Sequence, residues 1–124
     1  MNELIVLNDE EVAELVSFDD NLRLIEKAFG DYNRGESYVL PVIREKIEKH
    51  NGFFGIKSGY LANQEVLGFK AGGFWADNKD KGLPNHQSAI MLFDPATGQP
   101  TAVIAANFVA QIRTAAIGAI GCMQ

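Results

Sequence analysis

The chain has 124 residues, of which 47% are hydrophobic and 22% charged, a composition typical of one globular domain and too apolar for disorder. Its 11 basic and 16 acidic residues give a net charge of −5, which argues against general nucleic-acid binding, because neutralising phosphates needs clustered Lys and Arg. The single cysteine, Cys122, excludes an internal disulfide and favours a cytoplasmic setting, and no apolar run approaches the ~20 residues of a membrane span.

The first part of the chain predicts a short strand and two helices. Residues 4–7 form an apolar run that stops at Asn8 and Asp9, and either of these can cap the helix that follows. A second helix is predicted after Ser17, with its apolar residues on one face, and it ends at the Asn-Arg-Gly sequence of residues 33–35.

The pattern then changes to that of strands. Residues 38–47 are rich in β-branched and aromatic side chains, and Pro41 indicates the edge or the start of a strand. Asn51-Gly52 predicts a two-residue hairpin turn that joins a strand at residues 44–47 to another at residues 53–56.

The remaining sequence predicts three more strands and a helix. Residues 65–74 form a glycine-rich strand, and residues 88–93 and 101–105 form a hairpin through a turn at residues 94–98. Asn107 is a candidate cap for an Ala-rich helix at residues 109–123. This helix is apolar all round, so we expect the chain to be the front portion of a larger polypeptide or to rely on a partner subunit.

This order of elements predicts an α+β fold: amino-terminal helices, then an antiparallel β meander, then one helix. We expect one domain covering residues 1–124. The sequence contains neither a Gly-x-Gly-x-x-Gly turn nor a P-loop, so it carries no dinucleotide fingerprint of its own.

Three isolated cations are the residues best suited to chemistry. Arg44, Lys70 and Arg113 each lie in apolar sequence, and a charge buried there needs an anionic partner. Together they would suit a carboxylate or a phosphate, with each Arg binding in bidentate fashion. The alternative is that strand alternation turns Arg44 and Lys70 to solvent and that Arg113 extends from its helix into water.

Lys70 and two further residues have more than one interpretation. Lys70, among glycines and apolar residues, can also act as an acid, a base or a Schiff-base amine. Lys57 lies in similar sequence, but a position at a strand end favours exposure to solvent. His86 can titrate near neutral pH, bond a ligand, or be satisfied by the backbone. The sequence has no metal-ligand spacing, and Cys122 is interpreted as a packing residue in an apolar helix.

Four segments form a specific pattern in their order and spacing: Leu-Gly-Phe-Lys at 67–70, Gly-Leu-Pro-Asn-His-Gln at 82–87, Leu-Phe-Asp-Pro-Ala-Thr-Gly-Gln-Pro at 92–100 and Arg-Thr-Ala-Ala at 113–116. This pattern resembles the ornithine cyclodeaminase/mu-crystallin family of NAD(P)-dependent amino-acid enzymes, and the similarity runs over nearly the whole chain. The resemblance implies a substrate-binding and dimerisation domain that a nucleotide-binding Rossmann domain, absent from this chain, would follow.

The resemblance also implies roles for particular residues. Arg44, Lys70 and Arg113 match positions that hold the carboxylate of the substrate, and Lys70 is in addition a catalytic acid or base. Gln87 and Thr114 fall where family members approach the cofactor, NAD or NADP, which the absent domain mainly binds. The expected partners are a small amino-acid, keto-acid or imino-acid substrate and a second copy of the chain in a homodimer, with no nucleic acid and no membrane.

The sequence departs from the family pattern at two places. Family members often have Met-Pro where this chain has Lys57-Ser58, and cyclodeaminases carry a glutamate near the position of Gly55. Alanine dehydrogenase-like, ketimine reductase-like and opine-type activities therefore stay open beside ornithine cyclodeamination. One hypothesis is that the chain is the amino-terminal portion of an NAD(P)-dependent amino-acid deaminating enzyme, dehydrogenase or imine reductase, inactive on its own. The other is a non-catalytic, mu-crystallin-like binding or dimerisation module.

Overall fold

The computed structural model describes the backbone of residues 3–123 and the side chains in that range except those of residues 28, 29, 114, 116, 117 and 120–123. The elements follow in the order β1 (Ile5–Leu7), α1 (Asp9–Leu15), α2 (Phe18–Asn33), β2 (Ser37–Val39), β3 (Ile43–Ile47), β4 (Gly52–Leu61), β5 (Val66–Trp75), β6 (His86–Phe93), β7 (Pro100–Ala105) and α3 (Asn107–Met123). The predicted α+β fold is confirmed.

Seven strands form one sheet in the order β1-β7-β6-β5-β4-β2, and β3 also pairs with β4. β1 runs parallel to β7, whereas the other pairs are antiparallel. β2 and β3 occupy the same edge of β4, because β2 pairs with residues 59–61 and β3 with residues 52–56. Pro41 lies between them, where the lack of an N–H leaves no ladder bond unmade.

Two connections set the register of the central strands. Between β3 and β4, Glu48–His50 form a 3-10 turn and Asn51 adopts the left-handed conformation at φ 50°, so the predicted two-residue turn is wrong. Between β4 and β5, Ala62–Gln64 form a similar turn and Glu65 is left-handed at φ 54°. β4 and β5 are therefore ten residues long each, and their pairing places Lys57 directly opposite Lys70.

The first helix begins as the sequence predicts. The side chain of Asn8 accepts a hydrogen bond from the backbone N–H of Glu11 at 2.8 Å, and the carboxylate of Glu11 accepts one from the N–H of Asn8 at 3.1 Å. This reciprocal capping box satisfies two N–H groups that have no partner inside the helix. Ser17 caps α2 in the same way through one bond, from the N–H of Asp20 at 3.1 Å.

The N-terminus of α3 is capped by a different residue from the one that the sequence predicts. Asn107 is the first residue of this helix rather than its cap, and its side chain bonds to β6. The carboxylate of Asp9, which begins α1, instead accepts the backbone N–H of Phe108 at 3.2 Å. A residue 99 positions away thus supplies the cap, and the bond joins the α1 and α3 helix starts.

The three helices pack together at the β7 end of the sheet, where α3 contacts α1, α2 and β6 and α1 contacts β7. Val12, Ala102 and Ala106 are buried in this layer. Large apolar side chains remain exposed along the edge formed by β2, β3 and the residues between them, including Val39, which is 67% exposed. Among residues 3–123, no helix has the length and apolar content to cross a bilayer.

Candidate functional site

A pocket of about 860 Å³ opens between the sheet and the first half of α3, with walls from β3, β4, β5, β6 and the segment before β6. Five ionisable residues of the described part of the chain line this pocket: Arg44, Lys57, Lys70, His86 and Arg113. Neither Asp nor Glu is among the described lining residues, so we call it the cationic pocket. The described residues also contain no group of three His, Cys, Asp or Glu side chains placed to hold a metal ion.

Strand register brings the cations onto one face of the sheet. Arg44 of β3 lies opposite Gly55 of β4, and Lys57, two residues further along β4, lies opposite Lys70 of β5. Directly opposed residues of antiparallel strands share a face, as do residues two apart on one strand. Arg113 lies on α3, which covers this face, and is the fourth cation that lines the pocket.

Two glycines keep the floor of the cationic pocket open. Gly55 and Gly72 lie opposite each other in the β4–β5 pair, between the position of Arg44 and β6. Gly72 has φ +154°, and a Cβ atom there would lie 2.0 Å from the carbonyl oxygen of Gln87. Only glycine fits such a backbone contact without displacing a strand. The middle of the sheet face is consequently free of side chains.

The electrostatics of the pocket favour an anionic ligand. Burial lowers the pKa of the half-buried Lys70, and the positive charges of Arg113 and Lys57 lower this pKa further. The ion pairs found in the described residues involve Arg23 and Arg34 and none of the four pocket cations. A cluster of unpaired positive charges is stabilised when an anion binds to it.

Arg44 is held at one end of the pocket by an aromatic ring. Its guanidinium carbon lies 4.9 Å from the ring centroid of Phe53, within the range of a cation–π contact. Nearby, the rings of Phe74 and His86 meet edge to face with centroids 4.9 Å apart. This end of the pocket therefore combines one cation with aromatic surface.

Gln87 is fixed in the pocket wall by hydrogen bonds to both ends of its amide. The side-chain amide of Asn107 donates to the Gln87 oxygen at 2.9 Å, and the Gln87 nitrogen donates to the carbonyl of Pro84 at 3.1 Å. The oxygen of Asn107 accepts the backbone N–H of Ser88 at 2.9 Å, which ties the start of α3 to β6. Asn107 is thus a positioning residue that the sequence analysis assigned only as a cap.

Four of the site residues predicted from the sequence line the same pocket: Arg44, Lys70, Gln87 and Arg113. Their proposed roles in binding substrate or cofactor remain predictions. Thr114 belongs to α3, but its side chain lies outside the described residues. Lys57 is exposed as predicted, but it lies in the middle of β4 rather than at a strand end, and it lines the pocket. The turn at Ala62–Gln64 sets the β4–β5 register that places Lys57 opposite Lys70, and no local sequence signal predicts it.

A family model described as the ornithine cyclodeaminase/mu-crystallin family matches residues 2–123. The chain is similar to the iminosuccinate reductase of Paracoccus denitrificans, with 38% identity over 117 residues that cover 94% of this chain and 37% of that protein. It is also similar to the ketimine reductase mu-crystallin of Rattus norvegicus, with 32% identity over 77% of this chain and 32% of the relative.

Solved structures of relatives show the same fold. The crystal structure of the Paracoccus denitrificans iminosuccinate reductase in complex with NAD+ superposes with a TM-score of 0.89, over 94% of this chain and 36% of that chain. The Thermococcus litoralis Δ(1)-pyrroline-2-carboxylate reductase in complex with NADH and L-proline has a TM-score of 0.89 at 32% identity, over 92% of this chain and 35% of that one. The chain thus spans about a third of the length of the relatives it matches.

Proposed function

The chain belongs to the ornithine cyclodeaminase/mu-crystallin family, and on that premise we propose that it is the substrate-binding part of an NAD(P)-dependent enzyme that interconverts a small amino acid and its imine. The observation that carries this proposal is the meeting of Arg44, Lys70 and Arg113 in one pocket that no described Asp or Glu lines. The names of the relatives, which include an iminosuccinate reductase and a ketimine reductase, support the reaction class.

In this proposal the cations hold the carboxylate next to the reacting carbon. An Arg side chain binds a carboxylate through two parallel hydrogen bonds, which fixes the orientation of the substrate as well as its position. Arg44 on β3 and Arg113 on α3 approach from the sheet and from the helix. A substrate held from both sides presents its imine carbon in one orientation, and this positioning is the main contribution of the chain to catalysis.

Lys70 is proposed as the proton donor and acceptor. Its lowered pKa means that the ammonium group gives up a proton more readily than an ordinary lysine does. In the reductive direction the imine carbon accepts a hydride, the nitrogen accepts a proton from Lys70, and the carbon–nitrogen double bond becomes the single bond of the amine. In the oxidative direction the neutral amine of Lys70 takes this proton back.

NAD or NADP supplies the hydride when bound, but the described residues provide only an edge of its site. The sheet is antiparallel except for the β1–β7 pair, and within residues 3–123 no strand leads through a glycine-rich turn into a helix N-terminus, the unit that binds a dinucleotide pyrophosphate. The fixed amide of Gln87 fits a contact with a carboxamide group. We propose that a nucleotide-binding domain outside this chain holds the rest of the cofactor.

We also propose that the protein acts as a homodimer. The edge formed by β2, β3 and the residues between them exposes Tyr38, Val39, Leu40, Val42 and Ile43, each at least 41% accessible. A continuous apolar edge of this kind is a surface for a partner chain, and a second copy presents the same edge.

The proposal is tested with the complete protein that carries this chain. NADH and NADPH oxidation is followed with pyruvate or oxaloacetate plus ammonium and with Δ(1)-pyrroline-2-carboxylate, for the wild type and for Arg44→Ala and Arg113→Ala. Each lost charge-assisted hydrogen bond is worth about 1.5–3 kcal/mol, so the loss of even one bond should lower kcat/KM roughly 10- to 150-fold, and the loss of both bonds of an Arg should lower it further. Arg23→Ala, which removes an exposed cation of α2, is the matched control and should keep full activity.

Sedimentation of the same proteins separates the two hypotheses from the sequence analysis. An enzyme should lose turnover in Arg44→Ala and Arg113→Ala while remaining dimeric. Dimers without turnover in any substrate and cofactor combination would refute the enzymatic proposal and favour the binding module. Full activity in both variants would refute the assignment of the pocket.

A further inference from the structure

The cationic pocket carries more positive charge than one carboxylate can neutralise. We infer that its substrate has two carboxylates, as in a dicarboxylic amino or imino acid, and that Lys57 binds the second one. This inference rests on the proposed function and narrows its substrate class. Four cations line one pocket that contains no described acidic residue: Arg44, Lys57, Lys70 and Arg113.

Lys57 and Lys70 form a pair of like charges across β4 and β5. The two lysines lie directly opposite each other on β4 and β5, and like charges in such a cross-strand pair destabilise the sheet. On β6, the next residue across the sheet is Ile90, which offers no compensating charge. Arg113 adds a third positive charge to the same small space, since Lys57, Lys70 and Arg113 also line a second cavity beneath α3. An anion between these cations removes the repulsion.

The cations also occupy two ends of the pocket. Phe53, Gly55 and Lys57 follow one another at intervals of two residues on one face of β4, about 7 Å apart at each step. The guanidinium of Arg44, whose backbone lies opposite Gly55, is held over Phe53, on the far side of Gly55 from Lys57. The pocket thus has a cation at the Phe53 end and the Lys57–Lys70 pair at the other.

The floor between the two ends has room for the body of a bound substrate. Gly55 and Gly72 leave the floor of the pocket without side chains, and a Cβ at either glycine would lie within 2.7 Å of a backbone oxygen. The first carboxylate lies on the Arg44 side and the second beside Lys57, with Lys70 and Arg113 reaching between them. A substrate with one carboxylate leaves Lys57 without an anionic partner, so Lys57 determines specificity rather than chemistry.

The inference is tested by a comparison of two keto acids in the complete protein. With ammonium present, oxaloacetate forms an imine with two carboxylates and pyruvate forms an imine with one. The variant Lys57→Met removes the charge while keeping the length and the apolar part of the side chain. We expect it to raise KM for oxaloacetate about ten- to a hundredfold, with little change in kcat and little change in KM for pyruvate or for NAD(P)H. Lys57→Arg should keep most of the preference for oxaloacetate.

A binding measurement that does not depend on turnover accompanies the kinetics. Succinate, compared with acetate at equal ionic strength, should raise the midpoint of thermal unfolding of the wild type and of Lys57→Arg but not of Lys57→Met. Lys46→Met is the matched control, because Lys46 is an exposed lysine of β3 that is not among the pocket-lining residues. It should behave as the wild type in both measurements.

Several outcomes would overturn the inference. Equal loss with oxaloacetate and pyruvate in Lys57→Met would show that Lys57 does not distinguish the two substrates. A raised KM for NAD(P)H with unchanged KM for both keto acids would assign Lys57 to a cofactor phosphate. Equal stabilisation by succinate and acetate would refute a dicarboxylate site. The absence of turnover with every substrate refutes the proposed function instead, and the succinate measurement still decides on Lys57.

Discussion

Removal of the Asp9 carboxylate should weaken the start of α3, the helix that carries Arg113. Asp9 accepts the backbone N–H of Phe108 at 3.2 Å, in a partly buried bond between residues 99 positions apart. Loss of such a cap typically costs about 0.5–2 kcal/mol, and the length of this bond suggests a cost of about 1 kcal/mol. Because Asp9 also lies in the acidic first turn of α1, its removal costs roughly 0.3–1 kcal/mol more through the helix dipole.

Two further substitutions separate these contributions. Glu10→Ala removes another acid from the first turn of α1 and thus reproduces only the dipole effect. Asp9→Asn keeps an oxygen that can accept the Phe108 N–H. We therefore expect Asp9→Ala to lower the free energy of unfolding about 1 kcal/mol more than Glu10→Ala does, with Asp9→Asn recovering most of that difference.

Urea unfolding gives the free energies, and amide hydrogen exchange gives the local effect. The Phe108 N–H should exchange several-fold faster in Asp9→Ala than in Glu10→Ala. Equal unfolding free energies for Asp9→Ala and Glu10→Ala, within about 0.3 kcal/mol, together with unchanged exchange at Phe108, would contradict this account of the α3 cap.

Two more predictions concern hydrogen bonds away from the cations. Asn107→Ala should raise KM for NAD(P)H more than KM for the imino acid, because Gln87 loses its fixed orientation, and equal changes in the two constants would argue against a cofactor contact by Gln87. Hydrogen bonds from Arg34 and then Asn63 lower the pKa of Glu36 below its usual value of 4.5, so its stabilising contribution is present above about pH 4.5 and is lost as the pH falls through the lowered pKa. Glu36→Gln should therefore destabilise the protein at neutral pH and flatten the acid side of its urea-unfolding profile, and an unchanged profile would contradict this assignment.

The sequence predicted the elements well where a local signal marks them. The end of the apolar run at residues 4–7 marks Asn8 as a cap, and in the structure Asn8 caps α1, with Glu11 completing a capping box. The cap of α3 could not be predicted in this way, because Asp9 and Phe108 are brought together only by the packing of α1 against α3. Residue type alone predicts Asn107 as a cap, whereas in the fold its side chain joins β6 and Gln87.

Three of the pocket cations could be identified from their neighbours in the sequence, whereas the fourth depends on contacts between distant residues. Apolar neighbours marked Arg44, Lys70 and Arg113 as unusual charges, and this local pattern was enough to select three residues that line one pocket. Lys57 has a similar sequence environment, but its importance depends on which residue lies opposite it across β4 and β5. That register depends on left-handed residues in two turns, Asn51 and Glu65, and a shift by one residue would turn Lys57 to the other face.

The register of β4 and β5 places the like charges of Lys57 and Lys70 opposite each other, which is unfavourable in the ligand-free protein. A methionine at position 57 would remove the repulsion with Lys70 and should stabilise the ligand-free sheet by about 0.2–1 kcal/mol. A protein whose only requirement was stability would gain from that change. Retaining the lysine is consistent with a function that needs positive charge at this point, since a bound dianion recovers more than the free protein loses. The same residue should therefore lower stability without ligand and raise it with succinate, and this opposite sign distinguishes a binding role from simple exposure to solvent.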